Sequence, residues 1–217
     1  MRPHKSLIKL QKVAIKRLTR LEQLSTNILS ISSNREVETL LTYITIETLN
    51  TWSNFSRSFY LSCVLSAKTV SGTRITISTT IANFNDAIGL VIPANKKRHA
   101  TPNNAGIWHR RFEPTWHDPR VIMDICNQIG CSNITQIQSG FSGGLTVFNN
   151  LPTFRNFYAH RNQQTEYAAM QIASQYGISN LLKPSQILLS LPLNRSQPLL
   201  IEWIDELILT VEYLCYE

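Results

Sequence analysis

Charge is scarce in this chain, and so are paired cysteines, glycines and long apolar runs. Only 16% of its 217 residues are charged while 43% are hydrophobic, so a core can be buried without metal or disulfide staples. The four cysteines, Cys63, Cys126, Cys131 and Cys215, form no CxxC pair. The single close spacing, Cys126 to Cys131, lacks a partnering His and makes no zinc site, so reduced thiols are the simplest account. No apolar run approaches the roughly 20 residues that span a bilayer, which excludes an integral membrane protein. Residues 1–30 lack the continuous apolar stretch of a secretory signal, so a cytoplasmic location is expected. There are no internal repeats and no Gly-rich phosphate loop, and no cofactor or metal is expected. General disorder is excluded as well, because aromatic residues at 9% are too many for a solvated coil.

The charge that is present is unevenly placed. Residues 1–20 hold Arg2, Lys5, Lys9, Lys12, Lys16, Arg17 and Arg20 with no acid, and these account for the whole net charge of +7. A second basic cluster, Lys96, Lys97, Arg98, Arg110 and Arg111, lies in the acid-free stretch between Asp86 and Glu113. The end of the chain reverses the sign with Glu202, Asp205, Glu206, Glu212 and Glu217. Basic surface of this kind attracts polyanions such as RNA or DNA. A solvated helix face that pairs with the acidic end explains the same pattern, and both readings stand. The acid-free start also fits a mitochondrial transit peptide, but its apolar spacing continues past Glu22, which favours a genuine first helix.

Leu7, Leu10, Ala14, Leu18, Leu21, Leu24, Ile28 and Ile31 recur at steps of three and four, one face of a helix of about seven turns. Ser33 and Glu36 form a capping box that opens a second periodic run from Val37 to Ser62. That helix is expected to reach about Ala67. Between residues 72 and 117 the pattern is irregular: Ile75 and Ile77 alternate like a short strand, and Phe84 to Ile92 suits a turn or two of helix. Asp118-Pro119 caps a further helix that Gly130 closes. One short helix is expected within residues 131–148. Asn150 then reads as the cap of a long helix with Leu151, Phe154, Tyr158, Thr165, Ala169, Ile172 and Tyr176 on its buried side and Gly177 as its stop. A proline-bearing linker leads to a last helix from Leu199 to Tyr216. The sum is one all-α domain over residues 1–217, a bundle of about four long helices with a loop-rich insertion at about 72–117.

Within the long helix stands Arg155-Asn156-Phe157-Tyr158-Ala159-His160, followed by Arg161. It resembles the R-x(4–6)-H motif of HEPN domains, in the form with a polar residue directly after the arginine. The stretch from Leu49 to Cys63 and the segment Glu113-Pro114-Thr115-Trp116-His117-Asp118-Pro119 are also similar to stretches of bacterial HEPN-type proteins. Arg110 and Arg111 stand at comparable spacings from His117, but Pro114 lies inside both and excludes a regular helix there. The insertion at 72–117 is larger than a minimal HEPN domain needs.

The resemblance implies a helical bundle that dimerises and cuts RNA without metal, used as a toxin or an antiviral-defence effector and restrained by an antitoxin or sensor protein. His160 would move the proton of a ribose 2′-OH or of the leaving oxygen. Arg155 would hold the scissile phosphate, and Asn156 would orient the histidine or donate to phosphate. Arg161, Tyr158, Lys96, Lys97, Arg98, Arg110 and Arg111 are candidates for binding the substrate; for Tyr158, core packing is the competing role. Helical arithmetic puts Arg155 and His160 about 140° apart around one axis, so one straight helix does not aim both at a point. Two helices meeting across a two-fold axis do. Against this stands a non-catalytic HEPN-like module that dimerises and binds a partner protein, nucleotide or nucleic acid. A helical adaptor for DNA or RNA is a third reading.

Overall fold

The structure, a computed structural model, describes residues 1–93, 100–143, 146–179 and 183–216. The basic residues Lys96, Lys97 and Arg98 lie outside the described residues. The protein is all-α: most of the chain is helical, and the described residues hold no strand. In chain order the helices are α1 (Leu7–Ile28), α2 (Asn34–Val64), α3 (Phe84–Val91), α4 (Pro119–Gln128), α5 (Ile134–Phe141), α6 (Val147–His160), α7 (Gln163–Met170), α8 (Pro184–Leu189) and α9 (Leu199–Tyr216). Two short 3₁₀ turns add Arg110–Phe112 and Gln171–Tyr176. None of the described helices is long and apolar enough to cross a membrane.

The chain forms two compact units, one of Met1–Ala14, Trp52–Gly144 and Thr210–Glu217, the other of Ile15–Thr51 and Leu145–Leu209. Helices α1, α2 and α9 each contribute residues to both.

In the first unit, the α2 residues Trp52, Phe55 and Phe59 are buried and follow one another at ring separations of 5.5 and 5.9 Å. Phe141 of α5 meets Trp52 edge-on at 6.1 Å. The insertion expected to be irregular is fastened to α2 by side chains. Tyr60 donates to the Ala87 carbonyl, the Trp52 indole donates to the His117 carbonyl, and Trp116 stacks on Tyr60 at 5.6 Å. Arg57 grips the buried Glu113 with both Nε and Nη2, and Trp116 Nε1 donates to the same carboxylate. Asp118 caps α4 as its sequence suggests, accepting from the Arg120 N–H. At the other end Gly130 adopts φ +64°, where a Cβ would run into the Ser78 side chain. The alternation at Ile75 and Ile77 does not make a strand. Only isolated bridges form nearby, Ser6 with Lys68 and Lys68 with Arg74, because Ile75 alone is buried while Ile77 is half-exposed.

In the second unit, Leu18, Leu21, Ile28, Leu41, Ile44, Leu151, Phe154, Leu199, Trp203 and Ile204 are all buried. Phe154 lies edge-on to Trp203 at 5.6 Å. The Tyr176 hydroxyl is a hub: the Trp203 indole and the Asn150 amide both donate to it, and Thr146 Oγ1 lies 2.6 Å away. Two expectations fail here. Asn150 is not a cap, because α6 already begins at Val147 and buries Asn150 against Gln175 and Tyr176. Nor does one helix run to Tyr176. It ends at His160, Arg161 turns left-handed at φ 45°, and Asn162 caps a new helix through a reciprocal pair with Thr165.

Candidate functional site

Helix α6 owes its orientation to Leu151, Phe154 and Tyr158, which recur at steps of three and four and are all buried. That fixes what the opposite face shows. Asn156 and His160 are exposed and Arg155 is half-buried. Arg155 Nη1 donates to Asn156 Oδ1 at 3.4 Å, so the amide is turned toward the arginine. His160 sits in the last turn of α6, beside carbonyls that no later turn of the helix pairs, and its imidazole makes no hydrogen bond among the described residues. The chain therefore presents an arginine–amide pair and, about 140° further round the axis, a free imidazole.

The corner after His160 is held from two sides. Arg161 Nη2 donates to Thr42 Oγ1 of α2 at 2.7 Å, and its guanidinium lies 5.9 Å from the Tyr158 ring centre. A left-handed backbone costs an L-residue roughly 1–2 kcal/mol, so this corner persists because its contacts enforce it. The Arg161 head group is thereby engaged within the chain. Tyr158 is only 4% exposed, and burial pushes its phenol well above the usual range. Its ring packs in the core, and no face of it is open to stack on a base.

The remaining basic candidates lie elsewhere in the chain. Arg110 is exposed and donates through Nη2 to Asn54 Oδ1, and Arg111 is exposed with its guanidinium 4.8 Å from the Phe112 ring centre. Lys96, Lys97 and Arg98 fall outside the described residues. In α1 and the segment before it, all seven cations from Arg2 to Arg20 are exposed, and none makes an ion pair among the described residues. Glu47 of α2 accepts from the Asn50 amide of its own helix.

Sequence reasoning did not find the buried Arg57–Glu113–Trp116 network. Arg57 and Glu113 stand in separate stretches of the sequence, and their pairing spans 56 residues. Nor did it find the grouping of Cys63, Cys126 and Cys131, all buried in one unit. Among the described residues no group of three or more His, Cys, Asp or Glu is placed to hold a metal ion.

The fold and the site define an all-α protein with an exposed Asn156 and His160 beside a half-buried Arg155 at the end of a packed helix. No family model, no curated protein and no solved structure matches this chain.

Proposed function

We propose that the chain is a metal-independent endoribonuclease of HEPN type, acting as a homodimer and serving as a toxin or antiphage-defence effector under an antitoxin or sensor protein. The observation that carries this reading is the exposure of Asn156 and His160, with Arg155 half-open, on a helix whose other face is sealed in the core. A solvent-facing imidazole without a structural partner is free for proton transfer, and a guanidinium fork suits phosphate.

In the proposed reaction, Arg155 of one protomer and His160 of the partner subunit meet across the two-fold axis. His160 takes the proton of a ribose 2′-OH, and the 2′-oxygen attacks the adjacent phosphorus. The bond to the 5′-oxygen breaks, and that oxygen takes up a proton. The products are a 2′,3′-cyclic phosphate and a 5′-hydroxyl. Arg155 neutralises the charge that builds on the phosphoryl oxygens, while Asn156 keeps the guanidinium turned toward them. Exposed cations of the first helix draw in the polyanion.

Incubation of single-stranded RNA with the protein in EDTA tests this. Cleavage with 2′,3′-cyclic ends is expected, and His160→Ala should lower the rate by about 10²- to 10⁴-fold. Chelator-sensitive cleavage with 5′-phosphate ends would overturn the mechanism. A folded protein that binds RNA or a partner protein but cuts nothing would instead be the interaction module.

A further inference from the structure

Exposed cations from two distant segments are brought together in the first unit. Arg2 and Lys5 precede α1, and Lys9 and Lys12 follow on its side away from the buried Leu7, Leu10 and Ala14. The chain returns beside them at residues 67–75. Lys68 N–H donates to the Lys5 carbonyl, Leu7 N–H donates to the Lys68 carbonyl, and Arg74 lies opposite Lys68 in an antiparallel bridge. Ala67, Thr69 and Ile75 are buried while Lys68 and Arg74 are exposed, so the alternation turns both cations outward. The far end of this turn is fixed as well, because the Val70 and Ser71 N–H groups donate to the Cys215 and Tyr216 carbonyls at the end of α9.

Neither segment carries a charge of the other sign. No Asp or Glu occurs in residues 1–21 or 48–85, and none of these cations makes an ion pair among the described residues. Like charges three and four residues apart on a helix repel, as do those directly opposite across a bridge. An extended polyanion laid on the surface removes that repulsion. A lipid surface fits poorly: an interfacial helix inserts its apolar side, and that of α1 is already buried. The exposed Ile8 and Val13 do not merge into a patch, since they lie about 140° apart on opposite flanks of Lys9 and Lys12. A single strand fits poorly too. Proteins that hold one stack its bases on successive aromatic rings, and residues 1–42 and 61–83 contain no Phe, Trp or Tyr. The exposed Tyr216 stands beside the Ser71 turn, but one ring makes no stacking platform.

From a fixed array of cations with neither acids nor a stacking platform, we infer that this surface binds the phosphate backbone of double-stranded RNA without reading its sequence. The inference deepens the proposed activity and rests on it for the choice of RNA over DNA. It makes the substrate a base-paired stem that carries the single-stranded segment to be cut.

Fluorescence anisotropy tests it, with the His160→Ala full chain so that the RNA persists. The probes are a labelled RNA duplex of about 16 base pairs, its separated strands, and the DNA duplex of the same sequence. The RNA duplex should bind at least about tenfold more tightly than either strand or the DNA. Lys9→Glu with Lys12→Glu, and Lys68→Glu with Arg74→Glu, should each weaken it by about tenfold or more, with helicity by circular dichroism unchanged. Tyr216→Ala should change it by less than about twofold. Equal affinity for a single strand or for the DNA would overturn the inference. So would double reversals that bind like the parent, a loss in Tyr216→Ala as large as theirs, or lysine-dependent binding to vesicles of equimolar phosphatidylserine and phosphatidylcholine in place of the duplex. Cleavage of a hairpin RNA by the wild-type protein in EDTA separates the two readings. A bound stem that is never cut refutes the activity and leaves this surface standing, whereas cutting without any preference for the duplex refutes the surface alone.

Discussion

Arg161 reaches Thr42 Oγ1 with its guanidinium at 2.7 Å while its own backbone sits in the left-handed region at φ 45°. The contact ties the end of the motif helix to α2 and opposes a conformational cost at the same residue. Removing the side chain and relieving the backbone therefore act in opposite directions. Arg161→Ala should lose the bond but keep the strain, and destabilise by about 1–3 kcal/mol. Arg161→Gly should lose the same bond while recovering roughly 1 kcal/mol of backbone cost, and come out nearer to wild type. Urea unfolding of the two variants checks this; an Ala variant as stable as the Gly variant would contradict it.

The Glu113 carboxylate is 4% exposed and serves Arg57 and Trp116 together. Removing one member leaves the other charged and poorly solvated. Arg57→Met and Glu113→Leu should each cost about 2–4 kcal/mol, and the double variant should recover much of that loss. Thermal melts of the three proteins decide the matter, and strictly additive losses would be the wrong outcome.

Burial raises the Glu206 carboxyl above the usual range, and the nearby Glu202 adds to the shift, while the Val147 N–H and Arg195 act against it. A folded-state pKa above the unfolded value means that the folded protein holds the proton more tightly. Stability from this group is thus present in acid and is lost as pH rises from the unfolded carboxylate value, about 4.3, through the folded one. Glu206→Gln should raise Tm at neutral pH and flatten the dependence of Tm on pH across that window. An unchanged Tm at neutral pH would contradict the assignment.

Lys9, Lys12, Lys16 and Arg17 are exposed on the first helix and make no ion pair among the described residues. If they attract RNA, reversing three of them to Glu should weaken binding, and the slope of log affinity against log salt should become shallower by about two to three. Filter binding across a salt series measures it. Identical slopes would reduce this face to a solvated surface.

Much of the helical content was legible because its periodicity and caps are local. The Leu7-to-Ile28 spacing, the Asp118-Pro119 start and the Gly130 stop all lie within a few residues of what they control. The corner at Arg161 was not legible, since arginine carries no preference for a left-handed backbone and the contact enforcing it comes from Thr42, 119 residues away. Asn162 and Thr165 cap a new helix, but the apolar spacing from Leu151 to Tyr176 reads straight across them. Asn150 misled for a related reason: its amide is spent on Gln175 and Tyr176, a tertiary demand that looks like a cap in sequence. At the candidate site, the exposure of Asn156 and His160 followed from the Leu151–Phe154–Tyr158 face. The pairing of Asn156 with Arg155 instead of His160 turns on side-chain rotamers that spacing does not specify.

Mixing two inactive variants tests the composite site most directly. A dimer of Arg155→Ala with His160→Ala carries one site lacking both groups and one site that is whole. Each variant alone should be nearly inactive on RNA in EDTA. After exchange of subunits, the mixture should recover up to about a quarter of wild-type cleavage, because half the dimers are mixed and each has one of two sites intact. A mixture no more active than its better parent, while the wild-type protein cleaves, would contradict the account.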